Sequence, residues 1–336
     1  MKENILITGG AGFIGSNYVN QVFESGRYNI TVLDSLTYAG NKKNISCLEE
    51  IDFVEGSICN KTELKELFLK KEFTKIIHFA AESHVDNSIF SPANFIETNI
   101  NGTFNLLEEA KSLWLDENYN SIEKYKNALF LHISTDEVYG TLSIGEKPFN
   151  EDSPYRPNSP YSASKASSDL IVRSYFETYH LPIIITNCSN NFGPCQHEEK
   201  LIPKIIKCCL DKKPIPIYGN GKNIRDWIYV KDHCNALFNL MNSKCYGETF
   251  CLGASTELQN IQIAKYICNY FNSKYQEFNY LTLIEFVTDR LGHDLRYAID
   301  SSKYNDKFSE PISSHFEKNL ILTIKWYEQF YSRTTE

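Results

Sequence analysis

The chain has 336 residues, 42% of them hydrophobic, enough for one large α/β domain with an appended lobe or for two domains. Its formal net charge is -8, from 34 lysines and arginines against 42 acids, which argues against the clustered basic surface of a general nucleic-acid binder. No apolar run reaches the length of a membrane span, and Met1-Lys2-Glu3-Asn4 leads straight into Ile5-Leu6-Ile7 with no room for a signal peptide, so a cytoplasmic protein is the expectation.

The run Ile5-Leu6-Ile7 predicts a strand, followed by Gly9, Gly12 and Gly15 and then a helical pattern from Phe13 to Phe23. Glycines at this spacing suit a tight turn whose backbone approaches a pyrophosphate while the helix packs close to the strand. A second strand, Ile30 to Leu33, ends in Asp34, nineteen residues past Gly15. A carboxylate there accepts from both adenosine ribose hydroxyls and repels a 2′-phosphate, which predicts NAD in preference to NADP. Next come a short strand at Asp52 to Glu55, a charged helix around Glu63 to Lys71, and a strand from Lys75 to Ala81. Alternating strands and helices predict right-handed crossovers and a parallel sheet.

The polar run Glu82 to Asp86 begins where the strand stops; His84 within it reads as a hydrogen-bonded loop residue with no catalytic role. Phe95 to Trp114 has helical spacing, and Leu115 to Asn127 reads as a surface excursion. The apolar run Ala128 to Ile133 then stops at Ser134-Thr135-Asp136-Glu137, which predicts a buried strand ending at a ligand crevice. An isolated acidic turn of this kind more often caps the element that follows. After a proline-bearing loop from Glu146 to Pro160, Tyr161 and Lys165 lie four apart on one helical face. An ordinary phenol, with a pKa near ~10, is a poor base, but a neighbouring cation favours its phenolate. Farther on, Glu248 to Gly253 predicts a strand returning to the sheet. The ten cysteines are scattered, with no Cys-x-x-Cys, and read as reduced thiols; no metal site is expected.

The glycines, Asp34, Thr135 and the Tyr161/Lys165 pair occur in the order and spacing of the extended short-chain dehydrogenase/reductase family. Phe79-Ala80-Ala81-Glu82-Ser83-His84-Val85-Asp86, Ser134 to Gly140, Asn190-Asn191-Phe192-Gly193-Pro194, Glu199 to Pro203, Arg225-Asp226-Trp227 and Gly292-His293-Asp294 narrow the resemblance. They resemble its nucleotide-sugar branch, the dTDP-glucose 4,6-dehydratase family, over nearly the whole chain. That resemblance implies a Rossmann-type doubly wound parallel sheet, mainly residues 1–187, with a smaller carboxyl-terminal substrate-binding lobe over 188–336. It implies bound NAD held by Gly9, Gly12, Phe13, Ile14, Gly15, Asp34, Ser57, Ile58, Ala80, Ala81 and Asn99, together with Tyr161 and Lys165.

The resemblance also assigns Tyr161 as base towards the sugar 4-hydroxyl, Lys165 as the cation that lowers its pKa and binds the nicotinamide ribose, and Thr135 as partner of the C4 oxygen. Glu137 becomes the base at C5 and Asp136 the acid at the departing 6-hydroxyl. Ser83, Asn190, Glu199, Lys200, Arg225, Asn260 and Arg290 become candidate contacts for the nucleotide sugar, dTDP-glucose or UDP-glucose. Helices around 95–114 and 160–180 resemble those that pair in family homodimers. The sequence departs from the family's pattern at Ser57, Asn87 and Leu291. An NAD-dependent epimerase, which needs only the redox step, and a catalytically silent NAD-binding protein are the competing readings. The adjacent carboxylates weigh against the first, and Tyr161 with Lys165 against the second.

Overall fold

Ile5, Leu6 and Ile7 are fully buried, and alternate residues of this first strand pack on opposite sides: Ile5 and Ile7 join one apolar cluster, Leu6 the other. A strand covered on both faces belongs in the middle of a parallel sheet. In the computed structural model, which describes residues 2–289, 293–312 and 315–334, it does lie there. The sheet strands are β1 (Glu3–Thr8), β2 (Tyr28–Asp34), β3 (Asp52–Glu55), β4 (Lys75–His78), β5 (Leu129–Thr135) and β6 (Ile183–Cys188). Their order across the sheet is β3-β2-β1-β4-β5-β6, and the returning strand Thr249–Leu252 adds a seventh, parallel member beyond β6. The chain therefore reverses its direction of travel between β1 and β4, and ligand crevices open at the carboxyl ends of strands at such a point.

Helices cover both faces. On one side pack α1 (Phe13–Glu24), through Tyr18, Val19 and Val22, and a later helix, Val230–Met241. On the other pack α2 (Lys61–Lys70), α3 (Thr103–Trp114) and α4 (Pro160–Tyr179), through residues such as Phe68, Leu106, Trp114 and Val172. The continuous helix expected from Phe95 is interrupted: a π-helical stretch, Ile96–Gly102, precedes α3. A short helix that the sequence did not signal, Val85–Phe90, is started by His84, whose ring accepts from the Asn87 amide at 3.2 Å. Helix α4 begins as its sequence dictates, with Pro160 in its first turn and a reciprocal Ser159/Ser162 cap.

The remaining chain carries a three-stranded sheet, Glu257–Gln259, Ile224–Tyr229 and Asn190–Phe192, and a two-stranded one, Ile284–Val287 with Ile215–Tyr218. The strand Asn190–Phe192 follows β6 directly, so Asn190 is carried from the sheet's end to the crevice, and the strand bearing Arg225 pairs beside it. All ten cysteines are free thiols.

Candidate active site

A cleft of about 460 Å³ runs along the carboxyl ends of β1, β2, β4 and β5. At one end lies the glycine turn. Gly9 has φ +69°, and a Cβ there would meet the Ala80 main-chain nitrogen at 2.6 Å. A Cβ on Gly15 would meet the Gly9 carbonyl at 2.2 Å. Larger residues would force the turn from β1 into α1 open, so these positions require glycine. At Gly12 the nearest atom to a Cβ is 3.3 Å away, and α1 begins there with no side-chain cap. The first-turn N–H groups at Phe13 and Ile14 thus open on the cleft, a donor set that suits a diphosphate. Asp34 closes this end: its carboxylate accepts from the Ala11 and Leu36 amides, each at 2.8 Å, which fixes its oxygens at the wall where a ribose diol would sit. Ser57, Ile58, Ala80 and Ala81 complete the wall. These residues fit a dinucleotide.

The expected reaction centre lies at the other end. Thr135, the last residue of β5, passes directly into a single 3-10 turn, Asp136–Tyr139. The Thr135 hydroxyl accepts from the Glu137 amide at 3.3 Å and caps that turn. The capping reading of the acidic stretch is therefore true of Thr135, yet Asp136 and Glu137 line the cleft together with Tyr161 and Lys165. Asp136 is 2% exposed, and its Oδ2 has no hydrogen-bond partner among the described residues. Burial, then Glu137 and Asp226, push its carboxyl well above the usual range against the pull of Arg225. Burial thus favours the protonated form of Asp136 beside a second carboxyl group, that of Glu137, which reaches the same cleft.

Burial, followed by Glu137 and Cys188, also raises the Tyr161 phenol well above its ordinary value, while a hydrogen bond with Thr135 draws it down. The Lys165 ammonium, 4% exposed, donates to the Ile133 carbonyl at 2.9 Å. Burial lowers its pKa, and Asp169 and Cys188 oppose that fall. In this geometry Lys165 is tied to strand β5.

Of the residues proposed for the nucleotide sugar, Ser83, Asn190, Glu199 and Lys200 line the cleft. Glu199 meets His84 Nε2 at 3.3 Å, and Lys200 reaches the Ser83 carbonyl at 3.3 Å, so two loops are laced across the cleft mouth. Arg225 and Asn260 lie off its lining. Arg225 is buried over the Tyr297 ring, 4.4 Å from the centroid, and donates to the Ile224 and Asp294 carbonyls. Asn260 starts a helix, its amide bonded to the Asn223 carbonyl at 3.0 Å. Asn99 also stands behind the lining. Its side chain accepts from the Glu82 amide at 2.8 Å and donates to the Glu82 carbonyl and to Ser164 Oγ, bracing the β4 loop against α4. Arg290 and Leu291 lie outside the described residues. Of the other departures, Ser57 turns its hydroxyl to the Cys59 amide, and the Asn87 amide serves the His84 cap.

Sequence reasoning missed several lining residues, among them Thr37, Gly40, Thr98, Cys188 and Gln196. Cys188 was within reach of the strand-end rule, since it pairs with Thr135 in register at the ends of β6 and β5.

The model of the family described as GDP-mannose 4,6 dehydratase matches residues 6–316. A Neisseria meningitidis serogroup B protein named dTDP-glucose 4,6-dehydratase is 45% identical over 333 residues, covering 97% of this chain and 93% of that protein. The dTDP-glucose 4,6-dehydratase of Bacillus anthracis, solved in complex with NAD, matches with a TM-score of 0.85 at 39% identity and covers 98% of each chain. That of Streptomyces venezuelae, also solved with NAD bound, matches at 0.86 and 37% identity, again over 98% of each. A crevice built to hold a dinucleotide, with paired carboxyl groups at its reacting end, is thus joined to full-length similarity, and the chain belongs to the dTDP-glucose 4,6-dehydratase family.

Proposed function

We propose that this protein is a hydro-lyase that converts dTDP-glucose into dTDP-4-keto-6-deoxyglucose and water, using NAD that stays bound throughout. The observation that carries the reading is the unequal pair at the end of β5: Asp136 is buried with one oxygen unpartnered among the described residues, and Glu137 lies beside it in the same cleft. Loss of water across adjacent carbons needs one group that gives a proton and one that takes it, and a difference in environment separates those tasks.

The chain's own groups then divide the work. NAD, which the glycine turn, Asp34 and the wall from Ser57, Ile58, Ala80 and Ala81 would hold, would supply reversible hydride acceptance. Tyr161 takes the proton from the sugar 4-hydroxyl; the positive charge of an oxidised nicotinamide offsets the burial that otherwise holds the phenol neutral. Thr135 orients the C4 oxygen. The resulting ketone acidifies the C5 proton, which Glu137 removes, while Asp136 gives its proton to the departing 6-hydroxyl as water. Glu137 returns the proton to C5 once the 6-carbon has been reduced. Ser83, Asn190, Glu199 and Lys200 hold the nucleotide sugar at the cleft, while Arg225 and Arg290 as diphosphate partners and Asn260 as a substrate contact rest on the family resemblance. Residues 1–187 form the NAD-binding part and 188–336 the substrate lobe, with Thr249–Leu252 returned to the main sheet.

A homodimer and a cytoplasmic location belong to the same reading. Phe90, Ile96, Phe104 and Leu170 are exposed, Phe90 by 86%, on elements that pack side by side around α3 and α4. Exposed apolar side chains on neighbouring helices suit a second copy. Light scattering at micromolar concentration should give twice the chain mass of 38.7 kDa; the monomer mass would reject the dimer. The ten free thiols suit a reducing compartment.

Turnover in heavy water tests the activity. Incubated with dTDP-glucose or UDP-glucose and followed by NMR, the protein should yield a 4-keto-6-deoxy sugar carrying deuterium at C5, fastest from the dTDP sugar. A galactose sugar without the label would mean an epimerase. No turnover of either would reject the assignment.

A further inference from the structure

One buried acidic side chain has no part in the chemistry above. Asp169 is 1% exposed on α4, one turn beyond Lys165 and two beyond Tyr161. Its Oδ2 accepts from Ser134 Oγ at 2.9 Å, from the Tyr155 hydroxyl at 3.0 Å and from Asn187 Nδ2 at 3.1 Å. Its Oδ1 accepts from His132 Nε2 at 3.1 Å. Burial first, then Lys165, push the His132 imidazole down to about 4. The ring is therefore neutral at physiological pH and must carry its proton on Nε2 to meet the carboxylate. Four donors thus fill the carboxylate, and none of them is a cation.

Hydrogen bonds and nearby opposite charge together hold a carboxyl group in the interior. The histidine, tyrosine and cysteine neighbours supply no opposite charge. Burial holds His78 on β4 neutral, and it holds Tyr139, Tyr155, Cys188 and Cys251 protonated. Lys165 lies one helical turn before Asp169 on α4, and Asp169 is the first group opposing the fall in its pKa. The same network reaches the elimination centre. Asn187 donates to the Thr135 carbonyl at 3.2 Å as well as to Asp169, and Ser134 immediately precedes Thr135.

We propose that Asp169 is a positioning residue: the counter-ion of Lys165, and the tie that holds the strand end bearing Thr135, Asp136 and Glu137 against the helix bearing Tyr161. As a role in catalysis this rests on the dehydratase reading; as a charge pair it can be measured without any substrate.

The full-length protein, with lysine carbon-13 labelled at Cε, is titrated by NMR, the Lys165 signal being assigned by its loss in Lys165→Met. In Asp169→Asn the Lys165 midpoint should fall by about one pH unit or more, a tenfold change in proton affinity. In Tyr155→Phe, which removes a donor but no charge, it should stay at the wild-type value. An unchanged midpoint in Asp169→Asn, or an equal fall in Tyr155→Phe, overturns the pair. Should Asp169→Asn not fold, the double variant Asp169→Asn/Lys165→Met decides. Recovery of folded protein supports the pair, and failure to recover while Lys165→Met alone folds overturns it. With dTDP-glucose, Asp169→Asn should lose about tenfold or more in kcat at unchanged KM, and a raised KM at unchanged kcat contradicts positioning. Absence of wild-type turnover would sink the dehydratase reading and leave the titration to judge the pair.

Discussion

The two halves of the reaction centre are built on different supports. Tyr161 and Lys165 ride on a twenty-residue helix, capped at its start and packed along the sheet. Asp136 and Glu137 ride on a single 3-10 turn held by the Thr135 hydroxyl. The pair proposed for the redox step therefore depends on the packing of a long helix, whereas the pair proposed for elimination depends on one short turn where β5 ends. In the proposed reaction an enzyme that only oxidises and reduces needs the helix and Thr135, but not the two carboxyl groups of the turn.

Substitutions can break that comparison. The largest effect should come from the helix: Tyr161→Phe should lower kcat/KM by about 10²–10⁴-fold and abolish formation of reduced nicotinamide, seen by absorbance in a stopped-flow experiment. Persistence of that signal would remove Tyr161 from the oxidation step. At the turn, Asp136→Asn should slow product formation by about 10²-fold, while exchange of the C5 proton with heavy water continues. If exchange stops too, acid and base cannot be assigned to separate residues. Asp34→Ser sharpens the cofactor end: binding titrations should show roughly tenfold weaker NAD and a gain in affinity for NADP, and an unchanged preference would place the ribose elsewhere.

The smallest effect is on stability. Burial raises the Asp136 pKa above its unfolded value of about 3.9, so the folded chain keeps a proton that the unfolded chain releases. Stability is therefore greatest below that pH and falls as pH rises from there toward the folded value. Asp136→Asn removes the loss, so the variant should have the higher Tm at neutral pH, and the gap should close on acidification. A lower Tm at neutral pH would mean that the carboxyl is held by favourable contacts instead.

What the sequence made legible follows the same division. The glycine turn, Asp34 and the strand end at Thr135 each demand a particular residue at a particular place, so the crevice and its cofactor end could be read in order. The one-turn spacing of Tyr161 and Lys165 put both on one face, and the fold placed that face on the cleft. Interruptions were not legible. The π-helical stretch at Ile96–Gly102 stands where the apolar spacing gave an unbroken helix. Its Asn99 is satisfied by Glu82 and Ser164, residues distant in sequence. Arg225 had the right residue type for a diphosphate, yet its stacking on Tyr297 and its bonds to main-chain carbonyls depend on how the carboxyl-terminal segments pack. Asp169 was visible as the next position on the Lys165 face, but a lone helical aspartate carries no signal until Ser134, Tyr155, Asn187 and His132 are seen around it.

The central claim is that oxidation and elimination are carried by different groups, and Glu137→Gln tests it most directly. Mixed with dTDP-glucose in heavy water under single-turnover conditions, this variant should accumulate enzyme-bound reduced nicotinamide, with no deuterium at C5 and no 6-deoxy sugar. Loss of the nicotinamide signal together with elimination, or normal labelling at C5, would contradict the division of labour between the helix and the turn.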